Sequence, residues 1–253
     1  MIIGYRRWRS QEHLLDRMTL RGLVKAYFTY PAIQVYLLLA VVSIGATLFL
    51  LEALLPVIAA AVLGVLVYPL VWYLLHRYVL HGRLLYHFPQ TAALWKRIHF
   101  DHHQDPNDLG VLFGALYTTL PTMFFITAPI GWLIGGSSAA AAAFSAALVT
   151  TCFYEFCHCI QHLPFTPRWA WLRRMKKLHL AHHFHSEKGN FGITSFVCDR
   201  VLGTFYEHPR EVARSQTVFN LGYTLEEAER YPWVALLTED RTAPGALRPA
   251  RNR

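Results

Sequence analysis

Ten of the fourteen histidines fall into four short clusters. They are His76 and His81 in "HRYVLH", His99, His102 and His103 in "HFDHH", His158 and His162 in "HCIQH", and His179, His182 and His183 in "HLAHH". Neutral imidazole is the commonest metal ligand among side chains. On a helix, residues three and four apart share a face. Each HxxHH can therefore aim two or three rings at one spot, and His158 with His162 can do the same. His76 and His81 are five apart, which is off-face in an ideal helix, so they either serve different metals or straddle a helix end. Chance recurrence of HxxHH is small at this histidine content.

A closed zinc site takes about four ligands and a catalytic zinc about three plus water. Ten imidazoles are too many for one ion and suit two. HExxH is absent, and the single ExxH, Glu155 to His158, lacks the second copy that ferritin-like di-iron sites require. A nearly all-nitrogen ligand set suits iron, zinc, copper or nickel. No side-chain acid or base removes a proton from an alkyl C–H bond, whereas a redox metal with O2 can abstract hydrogen. For an unactivated hydrocarbon substrate, this argument from chemical need favours iron.

The elements that carry these residues are strongly apolar. The chain has 253 residues, is 54% hydrophobic and only 16% charged, against about 25% charged in ordinary globular domains. Uncharged runs cover about 32–51, 54–75, 109–134 and 139–160, each close to the roughly 20 residues a spanning helix needs. Short connections around Glu52–Pro56 and Gly135–Ser138 pair them into two hairpins. No Lys or Arg lies between residues 26 and 76 or between 98 and 167. Four crossings put the remaining basic regions on one side, which the positive-inside rule makes cytoplasmic. All four histidine clusters then fall on that side too. The expected fold is an all-α integral membrane protein, with four transmembrane helices in two hairpins and a cytoplasmic helical cap holding a histidine-rich di-metal site.

Around this membrane domain, residues 32–206, the ends read differently. Residues 1–31 are a cytoplasmic segment, either an interfacial helix on anionic lipid or a solvated lead-in; its scattered Arg6, Arg7, Arg9, Arg17, Arg21 and Lys25 do not fit a secretory signal. Residues 207–253 hold a helix, announced by the capping pair Thr224 and Glu227, and a disordered tail from about residue 242. Cys152, Cys157, Cys159 and Cys198 form no CxxC pair and read as reduced, small hydrophobic residues.

Carboxylates and amides should orient the histidines through their free ring nitrogens. Glu155 is the leading candidate, an ionisable group near membrane depth on the same helix face as His158. Asp101, Asp105, Asp199 and Asn190 are the others. Gly189 and Gly192 allow a tight turn, or are simply a loop. Trp169 and Trp171, beside Arg168, Arg173 and Arg174, read as interfacial anchors, or more sharply as headgroup contacts. His13, His87 and His208 read as ordinary surface histidines, and His185 stands between the two classes.

The four boxes, in the order HxxxxH, HxxHH, HxxxH, HxxHH, resemble the fatty acid hydroxylase/sterol desaturase superfamily of membrane histidine-box enzymes, over roughly residues 70–206. "HRYVLHG", "HFDHHQDPND" and "HLAHHFHSEKGNFGITSFVCD" look like the boxes of fatty acid 2-hydroxylases acting on sphingolipid acyl chains. Sterol oxidases of the superfamily usually carry HxxxH first, and in carotenoid hydroxylases the second box follows more closely than the 18-residue step from His81 to His99. The resemblance implies that His76, His81, His99, His102, His103, His158, His162, His179, His182 and His183 ligate a di-iron centre. Zinc can occupy such sites in purified protein. It also implies O2 as co-substrate.

The implied activity is hydroxylation of a lipid acyl chain at C2, near the headgroup, because a site at helix ends meets that carbon most easily. A membrane lipid is the substrate, and a separate cytochrome b5- or ferredoxin-type donor with its reductase supplies electrons, since no fused heme domain fits these residues. Nucleic acid is not a partner. The rival enzymatic readings are a sterol, carotenoid or headgroup hydroxylase, or a desaturase, of the same superfamily. The rival from another class is a membrane metal transporter or sensor, which would place its ligands near the bilayer midplane.

Overall fold

In the computed structural model the described residues are 13–239. The expected tail, and residues 1–12 of the N-terminal segment, lie outside them. In chain order the main helices are α1 (Leu20–Thr29), α2 (Pro31–Phe49), α3 (Leu54–Leu74), α4 (Pro89–Trp95), α5 (Asp101–Gln104), α6 (Leu116–His162), α7 (Ala170–Phe184), α8 (Val197–Val201), α9 (Leu225–Arg230) and α10 (Trp233–Glu239). The described residues form no sheet, only an isolated bridge between Leu14 and Asp108.

Among the described residues, three stretches are long and apolar enough to cross a membrane: Pro31–Phe49, Leu54–His87 and Leu109–His162. Their outward surface is apolar, with Phe49 90% and Leu55 77% exposed, a surface that would be costly in water. The third and fourth runs expected from the sequence belong to one stretch, whose long helix α6 is interrupted at Gly135 and Gly136. Gly136 has φ +67° and ψ −154°, a conformation reserved for residues without a Cβ. A Cβ on Gly131 would lie 2.5 Å from Ala139 O. In a straight helix those positions are about 12 Å apart along the axis, so residues 131 and 139 lie side by side. The third stretch begins at Leu109, as expected, but not as one continuous helix. Leu109–Leu112 is a separate turn, and Gly114, whose amide donates to Glu155 Oε1 at 3.1 Å, stands outside α6.

The chain divides into two compact units. The first comprises residues 18–71 and 114–160. Here Thr19 caps α1 by accepting from Gly22 N at 3.2 Å, and Pro31 starts α2 at the position where a missing N–H costs nothing. Ala60, Ala139 and Ala143 form a small-residue core that lets helices approach closely without a hydrophobic driving force. Tyr27 donates to Cys152 O at 2.5 Å and packs edge-on against Phe156, which fixes α1 to α6.

Among the described residues, the second unit comprises 14–17, 72–113 and 161–239. Its apolar core is Tyr86, Ala92, Trp95, Phe100, Leu221, Tyr223 and Val234. Trp95 Nε1 donates to Leu80 O at 3.0 Å, so the indole buries its area and satisfies its polar edge together. Thr224 caps α9 as expected, accepting from Glu227 N at 3.4 Å. The Glu227 carboxylate accepts the Tyr86 hydroxyl at 2.8 Å. The single C-terminal helix expected after Thr224 is instead two, because Pro232 drives Tyr231 out of the helical region, to φ −132° and ψ 72°.

Candidate metal centre

The histidines reach their places through two local departures from α-helix. Where α3 ends, residues Leu75–Leu80 form a π-helical turn, and His81 N donates to His76 O at 3.0 Å. In an α-helix a five-residue step points roughly 140° away. The wider turn removes that offset, so His76 and His81 meet. Their Nε2 atoms are 3.2 Å apart. They serve one group, and the helix ends between them, at Leu80, with His81 as its cap. A second π-helical turn, Lys96–Phe100, carries His99 and leads into α5 with His102 and His103. The partly buried Lys96–Asp101 ion pair spans the same five-residue interval. π turns are uncommon and gather at functional sites.

Neither HxxHH box aims all its rings at one spot. The first group consists of His76, His81, His99, His103 and His182, with one ring nitrogen from each within 4.8 Å of all the others. His102, His162, His179 and His183 stand apart from it in a second group with the same spread. Thus the i and i+4 members of each box stay together, and the i+3 member, His102 or His182, crosses to the other group. His158 stands one turn before His162 on α6, on the same helix face.

The spacing within each group suits a cation. His76, His81 and His99 form a triangle of Nε2 atoms with sides of 2.9, 3.0 and 3.2 Å. His162 and His179 Nε2 are 2.9 Å apart. Two nitrogens bound at about 2.1 Å and at right angles would be about 3.0 Å apart. Backbone carbonyls settle three tautomers in the first group. His76 Nδ1 donates to Phe191 O at 2.6 Å, His103 Nδ1 to Val218 O at 2.8 Å and His182 Nδ1 to Gly189 O at 2.8 Å. Each Nε2 lone pair is thereby left facing inward. His103 Nε2, His182 Nε2 and both ring nitrogens of His183 are buried without a hydrogen-bond partner. Buried polar atoms are rarely left so, and a metal ion would satisfy them. The residues fit two such ions.

Burial holds the rings neutral. It lowers the pKa values of His99, His103 and His183, and crowding by neighbouring imidazoles adds to the effect. His182 is lowered to about 4 by burial, with its Gly189 carbonyl bond opposing the shift. Neutral imidazole is the form that binds metal.

The carbonyls that orient His76 and His182 belong to the loop Gly189–Gly192. Asp199, fully buried, holds that loop by accepting from Phe191 N and Gly192 N at 2.8 Å each and from Thr204 Oγ1 at 2.8 Å. Burial raises its pKa and these bonds oppose the rise. A Cβ on Gly192 would lie 2.9 Å from Asp199 Oδ2 and run into Ser195 O, which accounts for the glycine. Asn190, at φ 55°, clamps the loop by exchanging hydrogen bonds with Tyr206 N and O. Its short polar side chain tolerates that left-handed backbone.

The other expected residues have these contacts. Glu155 is buried and accepts from Gly114 N; Asp101 pairs with Lys96; Asp105 O accepts Asp108 N in a turn. His185 Nε2 bonds Val212 O at 2.9 Å, a scaffold contact. His87 stacks on Tyr231, with ring centroids 4.2 Å apart, and His208 meets Lys177. Trp169 and Trp171 are exposed and stack on each other. Sequence reasoning missed the carbonyls of Gly189, Phe191 and Val218, for which side-chain identity carries no signal. It also missed Glu187, which lies between the fourth box and its glycine loop.

Long apolar helices and facing groups of neutral, buried imidazoles define a histidine-rich metal-site protein of the membrane type. The chain belongs to the fatty acid hydroxylase family, whose model matches residues 61–204. It is 31% identical over 149 residues to the dihydroceramide fatty acyl 2-hydroxylase FAH1 of Arabidopsis thaliana, covering 58% of this chain and 61% of that one. It is 30% identical over 155 residues to the ceramide very long chain fatty acid hydroxylase SCS7 of Saccharomyces cerevisiae, covering 56% and 36%. With the fatty acid 2-hydroxylase of Rattus norvegicus it shares 29% over 144 residues, covering 56% and 38%. The match thus spans between about a third and three fifths of these relatives. The fold is like that of full-length scs7p, a structure in which only the hydroxylase domain is visible. There the TM-score is 0.61 at 24% identity, over 75% of this chain and 69% of that one.

Proposed function

We propose that this chain is a membrane-bound hydroxylase of a lipid acyl chain, acting at C2 and using O2 with electrons from a separate cytochrome b5- or ferredoxin-type donor and its reductase. The observation that carries the proposal is the arrangement of inward-facing imidazole nitrogens in two groups, neither of which includes a carboxylate. The relatives named as 2-hydroxylases of ceramide or fatty acid support the substrate class and position. Each turnover adds one oxygen atom of O2 to a C–H bond and reduces the other to water with two electrons and two protons.

His76, His81, His99, His103 and His182 would hold one metal ion, and His102, His158, His162, His179 and His183 the other. Iron there supplies redox chemistry with O2 able to break an unactivated C–H bond. The chain's own residues fix the ligand tautomers through Phe191, Gly189 and Val218, and bury the groups from water. Glu155, tied to Gly114 N and one turn before His158, would orient the end of α6.

Four membrane spans follow if α6 crosses twice, turning at Gly135–Gly136, with both termini and the metal centre cytoplasmic. Residues 32–206 would then form the membrane hydroxylase domain. On α1, Leu20, Val24 and Phe28 are exposed at four-residue intervals beside the exposed Arg21 and Lys25. That pattern supports an interfacial helix on anionic lipid.

The test compares lipid extracts from cells expressing the chain and its His183→Ala variant by high-resolution mass spectrometry, with a reductase supplied. One added oxygen on an acyl-containing lipid, placed at C2 by fragmentation and lost in the variant, is expected. Loss of two hydrogens would replace hydroxylation by desaturation. Unchanged lipids with metal bound would overturn the enzyme reading.

A further inference from the structure

We propose that Glu187 is a positioning residue for the first histidine group, acting on His103 through the returning segment 215–218. This rests on the metal reading above and goes beyond it to a residue outside the ligand set. Glu187 is 5% exposed. Its Oε1 accepts from Ser215 Oγ at 2.8 Å and from Thr217 Oγ1 at 2.6 Å. Its Oε2 is buried without a hydrogen-bond partner. Among the described residues no ion pair to Glu187 forms, and burying an unpaired carboxylate is costly, so this position calls for an explanation that apolar packing does not supply.

The hydrogen bonds on either side supply one. On one side, Ser215 N donates to His185 O at 2.8 Å, tying the segment to the turn that follows His182 and His183. On the other, Val218 O accepts the Nδ1 proton of His103 at 2.8 Å, and Phe219 O accepts from Gln104 Nε2 at 2.7 Å. Between them, Thr217 N donates to Ser215 Oγ at 3.2 Å, and Thr217 O accepts from Leu221 N at 2.9 Å. Glu187 is the joint at which the turn after the fourth box grips the segment that orients a ligand of the second. If both hydroxyls lose their acceptor, Val218 O is free to move and the His103 tautomer is no longer held.

Asp199 does the same for His76 and His182 through the Gly189–Gly192 loop. The first group therefore hangs from two backbone segments, each gripped by a buried carboxylate. Neither carboxylate belongs to the histidine groups themselves.

The test titrates metal-free protein in detergent with Co(II), following the visible absorption bands and the bound stoichiometry. Wild type is expected to take two equivalents. In Glu187→Ala one of the two should bind about 10- to 100-fold more weakly, the range for loss of a group that orients a ligand, while the other is unchanged. Glu187→Gln keeps an oxygen acceptor for both hydroxyls and should restore tight binding. Thr217→Val removes a single hydroxyl and should weaken the same equivalent to a lesser degree. Two tight equivalents in Glu187→Ala would overturn the proposal. So would equal weakening of both sites in Thr217→Val with the helical circular dichroism retained, which would mark a general staple. Wild type that binds no Co(II) would instead overturn the metal reading itself.

Discussion

His103 and His183 face each other with ring centroids 4.2 Å apart and planes 34° apart, yet their ring nitrogens belong to different groups. The wall between the two proposed metal positions is thus one pair of imidazoles thick. Removing a ligand from one side should change the other only modestly, because each group keeps its own remaining nitrogens.

Single substitutions should therefore separate the positions. His182→Ala removes a ligand of the first group, and His179→Ala one of the second. Each variant should retain about one tightly bound metal per chain, and the double variant should retain none. Elemental analysis by plasma mass spectrometry after dialysis against a chelator measures this directly. A single variant that loses both ions would show one merged site.

Asp199 should matter for metal retention although it touches no metal. Asp199→Ala leaves Phe191 N, Gly192 N and the Thr204 hydroxyl without their acceptor. Each unsatisfied buried donor costs about 1–3 kcal/mol. The loop carrying the carbonyls for His76 and His182 is released at the same time. A clear drop in melting temperature should accompany about 10- to 100-fold weaker binding of one ion. Unaltered metal content in a destabilised variant would make Asp199 purely structural.

The Lys96–Asp101 pair closes a five-residue interval that only a π-helical turn brings together. Lys96→Met leaves Asp101 as an unpaired, largely buried carboxylate. Breaking such a pair costs about 3 kcal/mol. The double variant Lys96→Met/Asp101→Leu should recover most of that loss. If it recovers stability but not metal content, the ion pair maintains the turn that aims His99. Thermal melts and metal analysis of the same preparations distinguish the cases.

Acid should release metal and destabilise the metal-free protein. The folded-state pKa values of His99, His103, His182 and His183 lie below the ordinary value. Between the unfolded value of about 6.5 and the lowered folded value, about 4 for His182, the unfolded chain binds more protons than the folded one. Stability therefore rises with pH across that window and is lost as pH falls from about 6.5. Melting temperatures of metal-free protein at a series of pH values should show this slope. Their independence of pH between 7 and 5 would contradict neutral, buried rings.

Much of the candidate site could be read from side-chain types alone. The ten histidines stand out by number and spacing, and the apolar helices by the absence of charge over twenty or so residues. Both are local properties of the chain: hydrophobicity selects the helices, and helical periodicity brings i and i+4 imidazoles to one face. The resemblance to histidine-box enzymes rested on the same residues, and the family match agrees with it.

Only the tertiary structure decided how those histidines divide. His102 and His182 leave the companions that sequence spacing assigns them, because each box lies between two groups and its i+3 ring points to the far one. His76 and His81 share a group because a π-helical turn absorbs an extra residue, an energetic choice made by the packing around it. The carbonyls of Gly189, Phe191 and Val218 have no side-chain signature at all. Val218 comes to His103 across 115 residues of chain, and only the completed fold determines where a backbone returning from that distance will place its oxygen.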